Sequence, residues 1–249
     1  MTVKGFCKLC LDEKELQRSH LIPKSVYKKS RSGDPNKPHP TVLSRRSSRQ
    51  SSYQVMDYVF CSHCEQHLAR EGEDYAMRLL HAPGSFPFLE QLTKSGPGMG
   101  TGAFRYYTGE MTPGINREKL GYFATSVFWR AGIHTWHQDD NKEISINFTP
   151  DERESLRQYM LGNVSFPKNA GLMTFVCSDA ASQQIFWMPG ENQKTSERVF
   201  LLGIRGITFF FSIGDRMPER FAKYCMMNSP GRWITIRDCS KPNTIWTLG

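Results

Sequence analysis

Apolar and polar positions change their period along the chain, and each change marks an element. Gly5 to Pro23 is short-patterned and turn-rich, and residues 30–52 (SRSGDPNKPHPTVLSRRSSRQSS) carry neither a helical nor an alternating apolar period. That stretch reads as a loop or insertion. Tyr53 to Phe60 (YQVMDYVF) alternates like a strand leading into Cys61, and Leu68, Tyr75, Ala76, Leu79 and Leu80 then recur at helical spacing, which predicts a helix over 65–80 weakened at Gly72. After the Gly/Pro-rich segment 95–102, Leu120, Phe123, Val127, Phe128 and Ala131 form the apolar face of a second helix over 117–137. Thr149-Pro150-Asp151-Glu152 is a capping box with proline at the first helical position, opening a third helix over 150–161. Beyond Gly171 the runs LMTFVC, QIFWM, RVFLLGI, GITFFFSI and RWITI, broken by Gly, Pro and Asn, read as five strands of a mostly antiparallel sheet. The expectation is an α+β protein: an N-terminal module over 1–82 containing a basic loop at 24–52, then a region over 83–249 with a helical middle and a β-rich end.

Composition narrows the class. With 39% hydrophobic and 22% charged residues, the chain of 249 is far from the composition of disordered proteins. The apolar stretch Val199 to Gly214 is interrupted by Arg205 and is too short to span a bilayer, so no membrane segment is expected. The opening MTVKGFCKLC has no apolar leader, and the expected compartment is the cytoplasm. The formal charge is +8, and it is concentrated: Arg18 to Arg49 holds nine Lys/Arg against the single acid Asp34. Clustered cations of this kind suit a polyanion, although a solvated basic loop has the same composition.

Four of the seven cysteines form two pairs, Cys7-x-x-Cys10 and Cys61-x-x-Cys64. A two-residue spacer lets both thiolates reach one ion at about 2.3 Å, and two such pairs close a tetrahedral site. The expectation is a structural zinc ion; a redox pair would need a thioredoxin-like context, and disulfides are rare in the cytosol. Cys177, Cys225 and Cys239 lack such spacing and read as buried filler.

Between the pairs stands Ser19-His20-Leu21-Ile22-Pro23. The arrangement of CKLC, SHLIP and CSHCE, with a variable loop between and a helix after, resembles the zinc-containing branch of the HNH endonucleases, the ββα-metal nucleases, over residues 1 to about 80. More loosely, SHLIPKSVYKK, CSHCE and TSVFWR resemble a group of uncharacterised bacterial HNH-like proteins, as far as about residue 170.

The resemblance implies a metal-dependent endonuclease that hydrolyses phosphodiester bonds in DNA, in a class that often serves bacterial defence. It puts the general base on His20 and a ligand for catalytic Mg²⁺ or Mn²⁺ on Glu65. Ser19 stands where the family has Asp or His as the other ligand, and His67 or Glu71, four apart on one helix face, could compensate or simply form an exposed pair. Asp57 is a weak counterpart of the residue that orients the base. Lys24, Lys28, Lys29, Arg45, Arg46 and Arg49 would neutralise DNA phosphates, while Tyr27 and Tyr53 would stack on bases or pack a hinge. Two alternatives stay open: a non-catalytic zinc-stabilised nucleic-acid-binding module, and a subunit whose C-terminal sheet docks a protein partner.

Overall fold

The structure is a computed structural model that describes residues 2–29, 39–44, 47–80, 85–100, 104–178, 185–192, 197–227 and 234–237. The chain opens with β1 (Val3–Phe6) and β2 (Glu13–His20), followed by a short helix α1 (Lys24–Lys29), a hairpin of β3 (Thr41–Ser44) and β4 (Ser47–Gln50), and β5 (Met56–Cys61). Strands β1, β2 and β5 form a small antiparallel sheet in that order. A bulge between Gln17 and Arg18 shifts the β2–β5 register. The shift puts Leu16 and Ser19, three apart, both on the buried side, where simple alternation would split them. The strand stops at His20, and Pro23, which has no N–H, accepts from Val26 at the start of α1.

A helical run then extends from Ser62 to Leu80, starting three residues before the predicted 65 and in three parts: α2 (Ser62–Leu68), a π-helical turn (Ala69–Glu73) and α3 (Asp74–Leu80). Gly72 lies in the π turn, where an added Cβ would sit 2.7 Å from the backbone nitrogen of Phe123. What reads in the sequence as a weak point is where two helices come closest.

Next come α4 (Pro87–Lys94), β6 (Phe104–Tyr107) and α5 (Arg117–Ile133). Helix α5 is capped by Asn116, whose Oδ1 accepts from Lys119 N at 3.0 Å. It ends at Ile133, short of 137, because His134 turns extended and β7 (Trp136–His137) pairs with β8 (Glu143–Ile144). Every residue from Leu120 to Ala131 is buried, the signature of a helix with protein on all sides. On one side Trp129 stacks on Phe60 of β5, and on the other Phe123 and Phe128 meet Phe209 and Phe211 of the large sheet. Helix α6 (Pro150–Met160) starts with both halves of its capping box made, Thr149 Oγ1 accepting from Glu152 N and Glu152 Oε2 from Thr149 N. Arg157 on this helix donates to the Leu9 carbonyl, tying it to the first cysteine pair.

The five β-rich runs form β9 (Ala170–Cys177), β10 (Ile185–Glu191), β11 (Phe200–Ile204), β12 (Ile207–Ile213) and, after α7 (Glu219–Tyr224), β13 (Ile234–Arg237). Their sheet is mostly antiparallel and has eight strands, ordered β4-β3-β10-β11-β12-β9-β13-β6. Arg205 interrupts the apolar stretch because it turns a two-residue hairpin with Gly206, both at positive φ. The basic segment read as a loop therefore contributes two strands: β3 runs parallel to β10 and β4 forms the edge. Its period was invisible because Ser, Thr and Arg alternate with few apolar residues there. One hydrophobic core extends from Cys7 and Leu9 through α5 to Phe209 and Ile234. Cys225 is a free buried thiol, as expected of filler, whereas Cys177 is disulfide-bonded; Cys239 lies outside the described residues. No helix among the described residues is long and apolar enough to cross a membrane.

Candidate functional site

Two clusters of chemistry-bearing side chains flank the small sheet. The first is the cysteine cluster. Cys7 follows β1 in a tight turn: its N–H donates to the Asp12 carbonyl, its carbonyl accepts from Leu11, and Leu11 takes a left-handed φ of 63°. Cys61 closes β5 and caps α2, and Cys64 falls in that helix's first turn. All four sulfurs lie within 4.8 Å of one another. A tetrahedron with bonds of about 2.3 Å has edges of roughly 3.8 Å, so one ion fits between them. Thiols packed this closely cannot all ionise unaided. A hydrogen bond from Cys64, with Cys61, Cys10 and Leu9 amides adding to it, draws the Cys7 thiol down to about 4, and the same contact pushes Cys64 up. A bound cation would let every sulfur ionise. The four cysteines can hold a metal ion, and among the described residues they are the group whose ligand atoms converge this way.

The second is a cavity of about 410 Å³ lined by His20 and Pro23 at the end of β2, Lys24, Ser25 and Lys28 of α1, Glu65 of α2, Glu73 of the π turn and Arg130 of α5. His20 and Glu65, remote in sequence, are thus brought to one cavity. Lys24 and Lys28, four apart on α1, are exposed. The His20 ring nitrogen Nε2 is 3.0 Å from Gln54 Oε1. An amide oxygen only accepts, so Nε2 carries the proton and Nδ1 keeps its lone pair. Burial lowers the His20 pKa, with Lys24 and Arg130 acting in the same direction, against the Gln54 bond and the Glu65 charge. One oxygen of Glu65, Oε1, is buried with no hydrogen-bond partner. Beneath them Arg130, 1% exposed, donates to the His20 carbonyl at 3.1 Å and to Glu73 Oε1 at 2.5 Å. Burial raises the Glu73 pKa, with Arg130 opposing. For Arg130 itself burial acts downward, and the charges of Glu73 and Glu65 outweigh it.

The other sequence-derived candidates fall elsewhere. Ser19 is buried and closes the β2 bulge, donating to the Gln17 carbonyl and accepting from Phe60 N at 3.0 Å. Its hydroxyl is spent on backbone groups that the bulge leaves unpaired. His67 Nε2 donates to the Met160 carbonyl at 2.7 Å, and Glu71 pairs with Arg70, so neither lines the cavity. Asp57 pairs with His134 at 2.9 Å, and Gln54, not Asp57, meets the His20 ring. Tyr27 is buried edge-on against Phe186, which is packing, while Tyr53 is exposed. Arg45 and Arg46, and the side chains of Lys29 and Arg49, lie outside the described residues. Sequence reasoning missed Gln54 and Glu73, and gave no role to Arg130 although it ends the TSVFWR motif and is the one charge inside the buried stretch of α5; Glu73 gave no signal, since its place depends on the π turn.

Compared with protein-family models, curated proteins and solved structures, the chain matches none of them, so the likeness to HNH nucleases rests on its motifs alone.

Proposed function

We propose that the protein is a metal-dependent phosphodiester hydrolase of the HNH type acting on DNA, with a zinc ion on Cys7, Cys10, Cys61 and Cys64 as a structural staple. The observation that carries this reading is the cavity that His20 and Glu65 line together with Lys24 and Lys28, in which one Glu65 oxygen is buried without a hydrogen-bond partner. A strand pair followed by a helix, with His20 ending one strand and Glu65 on the helix, agrees with a ββα-metal arrangement.

Each group has a role its chemistry suits. A buried carboxylate oxygen left without a donor is costly unless a cation or water meets it, and Mg²⁺ and Mn²⁺ prefer oxygen ligands. Such a cation on Glu65 would stabilise negative charge developing on the scissile phosphate. Gln54 holds the His20 ring in one tautomer, and a pKa lowered by burial keeps Nδ1 unprotonated at neutral pH, ready to take a proton from water as that water attacks phosphorus. Lys24 and Lys28 would sit against phosphates and contribute affinity without reading sequence.

The test is cleavage of plasmid DNA with Mg²⁺ or Mn²⁺. Wild type should cut and chelator should stop it, while His20→Ala, folded and zinc-loaded, should lose about 10²–10⁴-fold in rate yet bind DNA as before. One observation favours a second reading: Ser19 is spent on the sheet and offers no metal ligand. A wild type that binds DNA and never cuts it would replace the hydrolase with a zinc-stabilised binding module.

A further inference from the structure

Two residues complete the cavity: Glu73, outside the quoted motifs, and Arg130, the last residue of TSVFWR. Residues seven apart on an α-helix share a face after about two turns. Glu73 is eight positions beyond Glu65, which on an unbroken α-helix is about 80° around the axis. The π turn takes up one extra residue, and Glu73 returns to the wall that Glu65 lines. There it meets Arg130, which arrives from α5, 110 positions along the chain from His20. A guanidinium this deeply buried is costly unless paired. This one is divided between the Glu73 carboxylate and the His20 backbone, with Phe60 beneath it, its Cζ 5.7 Å from the ring centroid.

We propose that Arg130 is a positioning residue for the His20–Glu65 site, acting through the His20 carbonyl and through Glu73, so that the active cavity needs helix α5 as well as the metal-stapled N-terminal unit. The proposal rests on the hydrolase reading for its consequence in rate, but its structural content stands apart from it. Arg130 fixes the backbone from which the His20 ring projects, and Glu73 fixes Arg130. The π turn, with Gly72 allowing close approach to Phe123, sets the distance between the two helices that carry the pair. A guanidinium reaches both partners with a rigid planar fork, a geometry that the compact, flexible ammonium of lysine does not reproduce.

The experiment uses the full chain carrying Arg130→Met, Arg130→Lys or Glu73→Gln, each checked for zinc content and melting temperature. In ¹⁵N-histidine spectra, with the His20 ring signals assigned by their loss in His20→Ala, Arg130→Met and Glu73→Gln should shift or broaden the His20 ring signals, and Arg130→Lys should lie closer to wild type. Where wild type cuts DNA, Arg130→Met should lower kcat about a hundredfold with KM changed less than about threefold, because a misplaced base slows the chemical step without weakening phosphate contacts. Arg130→Lys should recover part of that loss. Unchanged His20 signals in folded, zinc-loaded Arg130→Met would overturn the positioning role, as would unchanged kcat in a cutting enzyme. If Arg130→Met does not fold, Glu73→Gln decides in the same way, since it leaves the arginine and removes the negative charge that holds it. Shifted signals in a protein that never cuts DNA would keep the positioning role and discard the hydrolase.

Discussion

The cysteine cluster and the His20 cavity lie on the same small sheet and are built in opposite ways. The cluster needs two local turns and two strand pairings, β1 with β2 and β2 with β5: Cys61 N donates to Cys7 Sγ at 3.3 Å, and each partner cysteine is three residues further on. Its donors are alike, and one ion could satisfy them together. The cavity draws on five segments, mixes carboxylates, cations and an imidazole, and leaves an oxygen of Glu65 without a partner. The cysteine cluster is thus two locally compact pairs of one donor type, whereas the cavity also needs helix α5, 110 positions from His20, and keeps a carboxylate oxygen without a partner.

Breaking the local site should have the largest effect. Cys61→Ser should abolish stoichiometric zinc and unfold the N-terminal unit, because metal binding and folding are one equilibrium there; melting followed beside elemental analysis checks it, and a variant that melts like wild type would contradict the assignment. Gly72→Ala is next. Its Cβ would meet backbone of α5 at 2.7 Å, and the expected loss is about 1–3 kcal/mol by denaturant unfolding, with the cavity disturbed and the zinc retained.

The pH dependence separates the two regions by smaller amounts. The folded His20 pKa lies below the ordinary histidine value because of burial, so below about pH 6.5 the unfolded chain binds the proton better and stability contributed by neutral His20 is lost as pH falls. Cleavage should hold most of its rate at pH 7 and fall only below the ordinary histidine range, approaching tenfold per pH unit; a rate already halved at pH 7 would mean that His20 is not the base. The smallest effect belongs to the rim: Lys24→Ala with Lys28→Ala should flatten the slope of log affinity for DNA against log salt by about two, measured by fluorescence titration, with no change in melting.

The same contrast explains what the sequence made legible. The cysteine spacing, the capping box at Thr149 and the five aromatic and β-branched runs are local signals, and the fold carries them where they point. The hairpin at 41–50 was hidden because its strands are polar and gain their partner, β10, from far along the chain. Ser19 looked like a degraded metal ligand; only the bulge at Gln17 gives its hydroxyl another task. Arg130 ends the TSVFWR motif, but only helix packing brings it to the cavity, and Glu73 depends on a change of helical pitch that leaves no spacing rule in the chain.

The central claim is that His20 and Glu65 form a cation-accepting site separate from the cysteine cluster. Crystals of the full chain soaked with Mn²⁺, with anomalous scattering recorded at the zinc and manganese edges, test it most directly. The account predicts zinc among the four sulfurs and manganese bound to Glu65 in the cavity beside His20. Manganese absent from that cavity at saturating concentration, with zinc in place, would contradict it.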